Sequence, residues 1–268
     1  MKSKKSRQRK DGAARSFIEK RHSSGYVSFS LDMLMAETGL SRIAARNQLL
    51  RLEDRLVRPS PRLPFFLIVP AEYRSLGAPP MEWWLDDYLR WLKCPYYVGL
   101  LTAASIYGSS PQAIQETQVI VSTSQRNLSI GRIRVRFFKK AALSRSMTQS
   151  VDGSYAPLTI GTIETTCMDL VRYMHRLGGV ERVKETIAPL VKQLKATRLL
   201  QTLDVENEVP VAQRFGFVLD ALNANSLAET IMTWLPHPLR NVSLCPHSQV
   251  SKIHVDKKWK VITNWSDK

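Results

Sequence analysis

Cysteine is scarce. Cys94, Cys167 and Cys245 are the three in 268 residues, an odd number at wide spacing that supports neither a disulfide framework nor a CxxC metal knuckle. A reducing, cytoplasmic setting is the expectation from that usage. No apolar run approaches the roughly 20 residues that cross a bilayer, and the amino terminus lacks the apolar stretch of a secretory signal. Acidic residues are also in short supply: 23 Asp and Glu stand against 39 Lys and Arg, a net charge of +16. An enzyme of small metabolites has no need of that balance, and a polyanionic partner is the first expectation.

Signatures of catalysis are missing too. There is no GxSxG elbow, P-loop or GxGxxG, and Gly178-Gly179 reads as a helix-end turn. His22, His175, His237, His247 and His254 are scattered, and Cys245-Pro246-His247 is too short to close a zinc site. Asp152, Glu164, Asp169 and Glu181 are the acids available for metal-assisted phosphodiester hydrolysis. None is followed two positions later by the lysine that restriction-type nucleases place beside their glutamate. The expectation is a protein that is not an enzyme and needs neither cofactor nor metal.

What is there is enough for a globular protein: 44% of residues are apolar and 23% charged, sufficient for one large or two ordinary domains. Residues 1–10 hold six Lys and Arg and no acid, so they cannot bury enough apolar surface to order themselves and are expected to form a basic disordered arm. Ala14, Phe17 and Ile18 predict an amphipathic helix from Asp11 to about Arg21. After a short extended entry, Ser30 is placed to cap a helix over Leu31 to Thr38, and Gly39 stops it. Ser41 can cap a third helix, Arg42 to about Arg55, with Ala45, Leu49, Leu52 and Leu56 facing a core.

The other side of that third helix carries Arg42, Arg46, Asn47 and Arg51, residue types suited to base edges and phosphates. Leu56-Val57-Arg58, a proline-rich turn from Pro59 to Pro64, and Phe65 to Val69 predict a two-stranded wing bearing Arg58 and Arg62. A basic helix with three arginines is usually only a solvated face. The ordered set of arm, capped helix, glycine turn, capped basic helix and hairpin points instead to a winged helix-turn-helix over residues 11–70. Arg42, Arg46 and Asn47 would read bases, while Ser41, Arg51 and Arg62 hold the backbone.

Residues 71–80 read as a linker and residues 81–268 as a larger mixed domain, giving an α+β chain overall. Met81 to Leu92 predicts a helix with an aromatic core stripe, and Gly99 to Tyr107 a second one after Cys94-Pro95. Val119 to Val121, Arg132 to Phe138 and Leu158 to Gly161 are strand candidates. In the middle one Arg132, Arg134 and Arg136 alternate with apolar residues and form a second basic surface. Helices are expected over Thr165 to His175, near Pro189, over Val211 to Leu222 and over Ser226 to Leu235, with a closing strand from Lys258 to Asn264.

Several segments resemble the AbiEi family of type IV toxin-antitoxin (abortive infection) antitoxins. Phe29 to Val69, with Gly39-Leu40-Ser41-Arg42 and Ala44-Ala45-Arg46, resembles its winged helix. More specific is the run from Tyr96-Tyr97-Val98-Gly99-Leu100-Leu101-Thr102-Ala103-Ala104 to Tyr107-Gly108. Gln118 to Val121, Thr165 to Tyr173, Ala212 to Asp220 and Trp259-Lys260-Val261 continue it, so that it spans most of residues 25–265. The resemblance implies a transcriptional autorepressor that binds operator inverted repeats through its first domain. It also implies an antitoxin domain at 81–268 that counteracts a nucleotidyltransferase-like toxin of the same operon without a stable complex. On inverted repeats, two molecules per operator are expected. The alternative is a nucleic-acid-processing or RNA-associated protein whose main surface is the strand of Arg132, Arg134 and Arg136. Under the first reading residues 1–80 alone should retain duplex binding.

Overall fold

The computed structural model describes residues 12–109, 115–152, 157–245 and 254–263. The basic arm, Asp11 and His247 lie outside the described residues. The chain divides into two compact units, Met1–Tyr96 with Val121–Lys139 and Val151–Leu158, and Tyr97–Ile120 with Lys140–Ser150 and Thr159–Lys268.

The first unit opens with α1 (Ala13–Ser23), whose Ala14, Phe17 and Ile18 are buried. Strand β1 (Ser28–Ser30) leads directly into α2 (Leu31–Thr38), because the Ser30 hydroxyl accepts from the Met33 N–H at 3.1 Å and satisfies a free donor of the first turn. Gly39, at φ 65°, ends α2 with its N–H on the Met35 carbonyl. That left-handed backbone suits glycine and turns the chain within two residues toward the next cap. There the Ser41 hydroxyl accepts from Ala44 N at 3.3 Å and starts α3 (Arg42–Leu50). β2 (Leu56–Val57) and β3 (Phe65–Ile68) complete an antiparallel sheet in the order β1-β3-β2.

Phe17 meets Phe29 edge-on and Phe29 stacks on Phe66, each at 5.3 Å between centroids, over Leu34, Ala45 and Leu49. The third helix ends at Leu50, earlier than the expected Arg55. Leu52 donates to Leu49 in a tighter turn, and a 3-10 turn, Glu53–Arg55, follows. The Arg55 carbonyl accepts from Val69 at 2.8 Å, so it already serves the pairing of β2 with β3. Leu52 and Leu56 pack against the core only partly buried.

The first unit continues through residues 71–80 and beyond. A 3-10 turn, Met81–Trp83, precedes α4 (Leu85–Trp91) where one continuous helix was expected. Phe65 lies 5.3 Å from both Tyr88 and Trp91, and the Ser28 hydroxyl donates to Asp87 at 2.6 Å. A chain cut at residue 80 would uncover Phe65 and strand Ser28, so residues 1–80 lack part of their own packing.

The second unit begins at β4 (Tyr96–Val98) and α5 (Leu100–Ile106). Gln118 in β5 (Thr117–Val121) ties the two together, accepting from Leu101 N at 3.0 Å through its side chain and donating its own N–H to Thr102 at 2.9 Å. The hairpin β6 (Leu128–Ile130) and β7 (Ile133–Lys139), in which β6 went unforeseen, belongs to the first unit. Its turn at Gly131 (φ 55°) abuts Leu76 and Gly77 so closely that a Cβ there would strike backbone, and Arg132 N donates to the Leu76 carbonyl at 2.8 Å. Strand β8 (Thr148–Val151), also unforeseen, borders β9 (Leu158–Gly161), which runs parallel to β4 with Val98 opposite Ile160.

Helices fill the rest: α6 (Ile163–Arg172), α7 (Val180–Ile187), α8 (Ala196–Glu206), α9 (Val209–Ala221) and α10 (Asn225–Trp234). A small sheet of β10 (Val242–Ser243), β11 (His254–Val255) and β12 (Val261–Thr263) closes the described chain. The expected α+β class is the observed one. Gly216 on α9 lies under the buried Trp259 ring, where a Cβ would overlap the indole. Gly216→Ala is therefore expected to destabilise the protein by about 1–3 kcal/mol through overpacking. A thermal melt within a degree of the natural chain would show that Trp259 moves aside freely.

Candidate nucleic-acid interface

Helix α3 is nine residues long, about 13 Å at 1.5 Å per residue. Ala45 and Leu49 point into the core. Successive residues turn by 100°, so the sector opposite that stripe falls on Ile43, Asn47, Leu50 and Arg51, whereas Arg42 and Arg46 sit one turn apart on its flank. Exposure agrees: Ile43 is 75% and Leu50 67% accessible. Of the arginines expected on the outer face, Arg42 and Arg46 stand beside it, and the sector itself is shared by Ile43, Leu50, Asn47 and Arg51.

That flank overlooks the wing. Arg42 and Arg46 line a groove of about 550 Å³ with Arg58 and Arg62 from the segment joining β2 to β3, over a floor that includes Leu49 and Phe66. Glu53 is an acid on its wall. All four guanidinium groups belong to exposed residues, and none has a hydrogen-bond or ion-pair partner among the described residues. Arg55, by contrast, is occupied by Glu19 and Asp54 at 3.8 and 3.9 Å. Unpaired guanidinium groups around a concave surface concentrate positive potential there and present planar donor forks that match phosphate oxygens and guanine edges. Ser41, Asn47 and Arg51 are exposed but do not line the groove. The Ser41 hydroxyl is already engaged in capping. Ser41→Ala should cost about 1 kcal/mol of stability, to be read as a lowered melting temperature; no change would mean the cap is replaced by water at no cost.

The second basic surface is arranged differently. Along β7 the even-numbered side is exposed at Arg134, half-buried at Arg136 and buried at Phe138. Arg136 lies over the Phe138 ring at 5.0 Å, and Arg134 donates to the Gly131 carbonyl at 2.9 Å. Arg132 is exposed at the turn. The strand's arginine side is open over its first half only.

Sequence reasoning missed a buried ionic cluster in the second unit. Lys140 donates to Glu206 at 2.6 Å, to Asp169 at 3.1 Å and to the Tyr97 hydroxyl at 3.2 Å. Arg172 pairs with Asp169 and, at 2.7 Å, with Glu206, and reaches Glu208 at 3.0 Å. Tyr97 donates to Asp169 at 2.5 Å. Burial, reinforced by Asp169, pushes the Glu206 carboxyl up against the opposing pull of Lys140 and Arg172. Burial works against the Arg172 charge, yet its three carboxylate neighbours hold it protonated more firmly than usual. Three of the four acids considered for hydrolysis are committed elsewhere: Asp169 to this cluster, Glu164 buried and accepting from Lys195 N, and Glu181 paired with Lys184 at 3.2 Å, while Asp152 is exposed. Among the described residues no three of His, Cys, Asp or Glu gather where they could hold a metal ion. No described helix is long and apolar enough to cross a membrane.

The first unit thus begins with three helices and three strands in an order compatible with a winged helix-turn-helix, joined in one α+β chain to a second unit knit by a buried ionic cluster. Residues 97–221, a little under half of the chain, match the model of the AbiEi antitoxin C-terminal domain, which supports a place for this region in the AbiEi antitoxin family. That match supports the role of an antitoxin with a toxin as its counterpart. Tyr97 and Asp169, from two of the segments that carry the resemblance, meet at the centre of the cluster. Among solved structures, the RV2827C protein from Mycobacterium tuberculosis shares the fold, with a TM-score of 0.65 at 14% identity over 93% of this chain and 90% of that one. An antigenic nucleotidyltransferase-like protein from Paracoccidioides brasiliensis matches only loosely, with a TM-score of 0.33 at 9% identity over 55% of this chain and 89% of that one. No curated protein matches the sequence.

Proposed function

We propose that the protein is a DNA-binding transcriptional autorepressor and antitoxin, which counteracts a nucleotidyltransferase-like toxin of the same operon without forming a stable complex with it. The antitoxin part rests on the family of residues 97–221. The DNA-binding part rests on one observation: four exposed arginines without partners surround a groove between a capped helix and a wing. Arg46 and Asn47 read base edges, Arg42 enters from the groove side, and Ser41, Arg51, Arg58 and Arg62 hold the phosphates. Two molecules occupy one inverted repeat, with half-sites about one helical turn, roughly 34 Å, or a multiple apart.

Replacing Arg46 by Ala should cost about 1–3 kcal/mol on the operator and relax one base position. A gel-shift series across single-base operator variants checks this. An unchanged affinity and unchanged base preference would remove Arg46 from the reading set. Arg58→Ala should weaken all duplexes alike and lower the salt slope by about 1.

A further inference from the structure

The outer face of α3 carries the two most exposed large apolar side chains among the described residues, Ile43 and Leu50, each about one turn from Asn47. Both remain largely open to solvent, Ile43 on the outer face and Leu50 at the edge of the groove, so burying them against a partner would gain apolar area that the monomer does not bury. Arg42, Arg46, Arg58 and Arg62 line the adjoining groove with a single acid, Glu53, which favours a polyanion as the occupant, and a helix of this size fits a major groove about 12 Å wide. In that groove the one apolar feature of any base pair is the C5-methyl of thymine.

We infer that Ile43 and Leu50 are specificity-determining residues that pack against thymine C5-methyl groups, so that each operator half-site carries thymines on either side of the base pair facing Asn47. The inference rests on the proposed reading of α3 as the DNA-reading helix and adds the base type at two positions. Asn47 between the two apolar contacts is suited to a bidentate bond with adenine, which makes the core of the half-site rich in A·T pairs. Arg58 and Arg62 then supply affinity and orientation, and the two apolar contacts add discrimination to that of Arg46 and Asn47.

The test uses the full-length chain. A duplex enriched by the protein from a randomised pool is synthesised with thymine and again with deoxyuridine at every thymine, which removes only the methyl groups. The natural chain should bind the deoxyuridine duplex about fourfold more weakly for each methyl contacted, the ratio that corresponds to burying one such group. Ile43→Ala, at an exposed position that leaves the fold intact, should lose that preference at one site while keeping its dependence on salt and on Arg46. Equal binding of the two duplexes by the natural chain, with Arg46→Ala still impaired, would overturn this inference and leave the DNA-reading helix standing. Failure of any duplex to enrich would remove both. If Ile43→Ala and Leu50→Ala instead lower the sedimenting mass and leave the thymine preference intact, the face joins two copies of the chain and the inference is overturned.

Discussion

Simultaneous replacement of Arg42, Arg46, Arg58 and Arg62 by Ala is expected to lower affinity for duplex DNA by two orders of magnitude or more at physiological salt. It should also reduce the slope of log K against log salt by roughly 2, because Arg58 and Arg62 each give up a phosphate contact and each such contact accounts for about 0.9 of a released counterion. The four side chains are exposed and without partners among the described residues, so the variant should melt within a degree or two of the natural chain. Fluorescence anisotropy at three salt concentrations reads both quantities. An unchanged slope would mean that the groove does not meet phosphate, and the basic arm or the turn at Arg132 would then carry the attraction.

Lys140→Met is the substitution with the largest expected effect on stability. Lys140 and both of its acidic partners are at most 3% exposed, and removal of one member of a buried ion pair leaves a charge that neither water nor protein compensates. Arg172 remains beside Asp169 and Glu206, which places the loss near the lower end of the usual range, about 3 kcal/mol, or roughly 5–10 °C in melting temperature for a chain of this size. The loss should depend on pH with a definite sign. Burial already raises Glu206, and without Lys140 it rises further above its value in the unfolded chain. A raised carboxyl contributes stability below its unfolded pKa and loses it as pH increases through the folded one. The variant's deficit is therefore smallest in acid and grows toward neutrality. Adding Glu206→Leu should recover part of the loss, since it removes the orphaned charge as well. Melting curves from pH 4 to 8 check both points; a deficit independent of pH would mean that Arg172 alone satisfies the carboxylates.

The first unit was largely legible because its signals are local. Ser30, Gly39 and Ser41 each act within three or four residues of themselves, and their caps and turn form as the sequence indicates. The helix end at Leu50 was not legible, since the apolar spacing of Leu49, Leu52 and Leu56 continues past it while the chain tightens into a 3-10 turn, Glu53–Arg55, ahead of β2. Which residues occupy the outer sector of α3 was legible in principle, because the 100° step from Ala45 and Leu49 already places Ile43 and Leu50 beside Asn47 and moves Arg42 and Arg46 to the flank.

Most of what escaped in the second unit is held by pairing between distant segments. Helix α8 buries Thr202 and Glu206 beside Leu199 and Leu203, and two polar residues on the inward side blur the apolar period that would reveal it. Lys140, Asp169 and Glu206 lie 29 and 37 positions apart in sequence, each an ordinary charged residue in its local context. Only the packing of the segment that starts at Lys140 with α6 and α8 makes them a buried cluster. The arginine alternation in β7 correctly indicated a strand, but not that Phe138 would close over the second half of its basic side.

The account depends on α3 meeting DNA with its outer sector. The most direct measurement is a footprint of the full-length chain on the duplex immediately upstream of its own coding sequence, made alongside Arg46→Ala. The account predicts two protected half-sites on one face of the helix, bound with a dissociation constant of about 10⁻⁸ M or tighter, and weakened protection by the variant. Protection of the same bases at the same concentration by both proteins would contradict it.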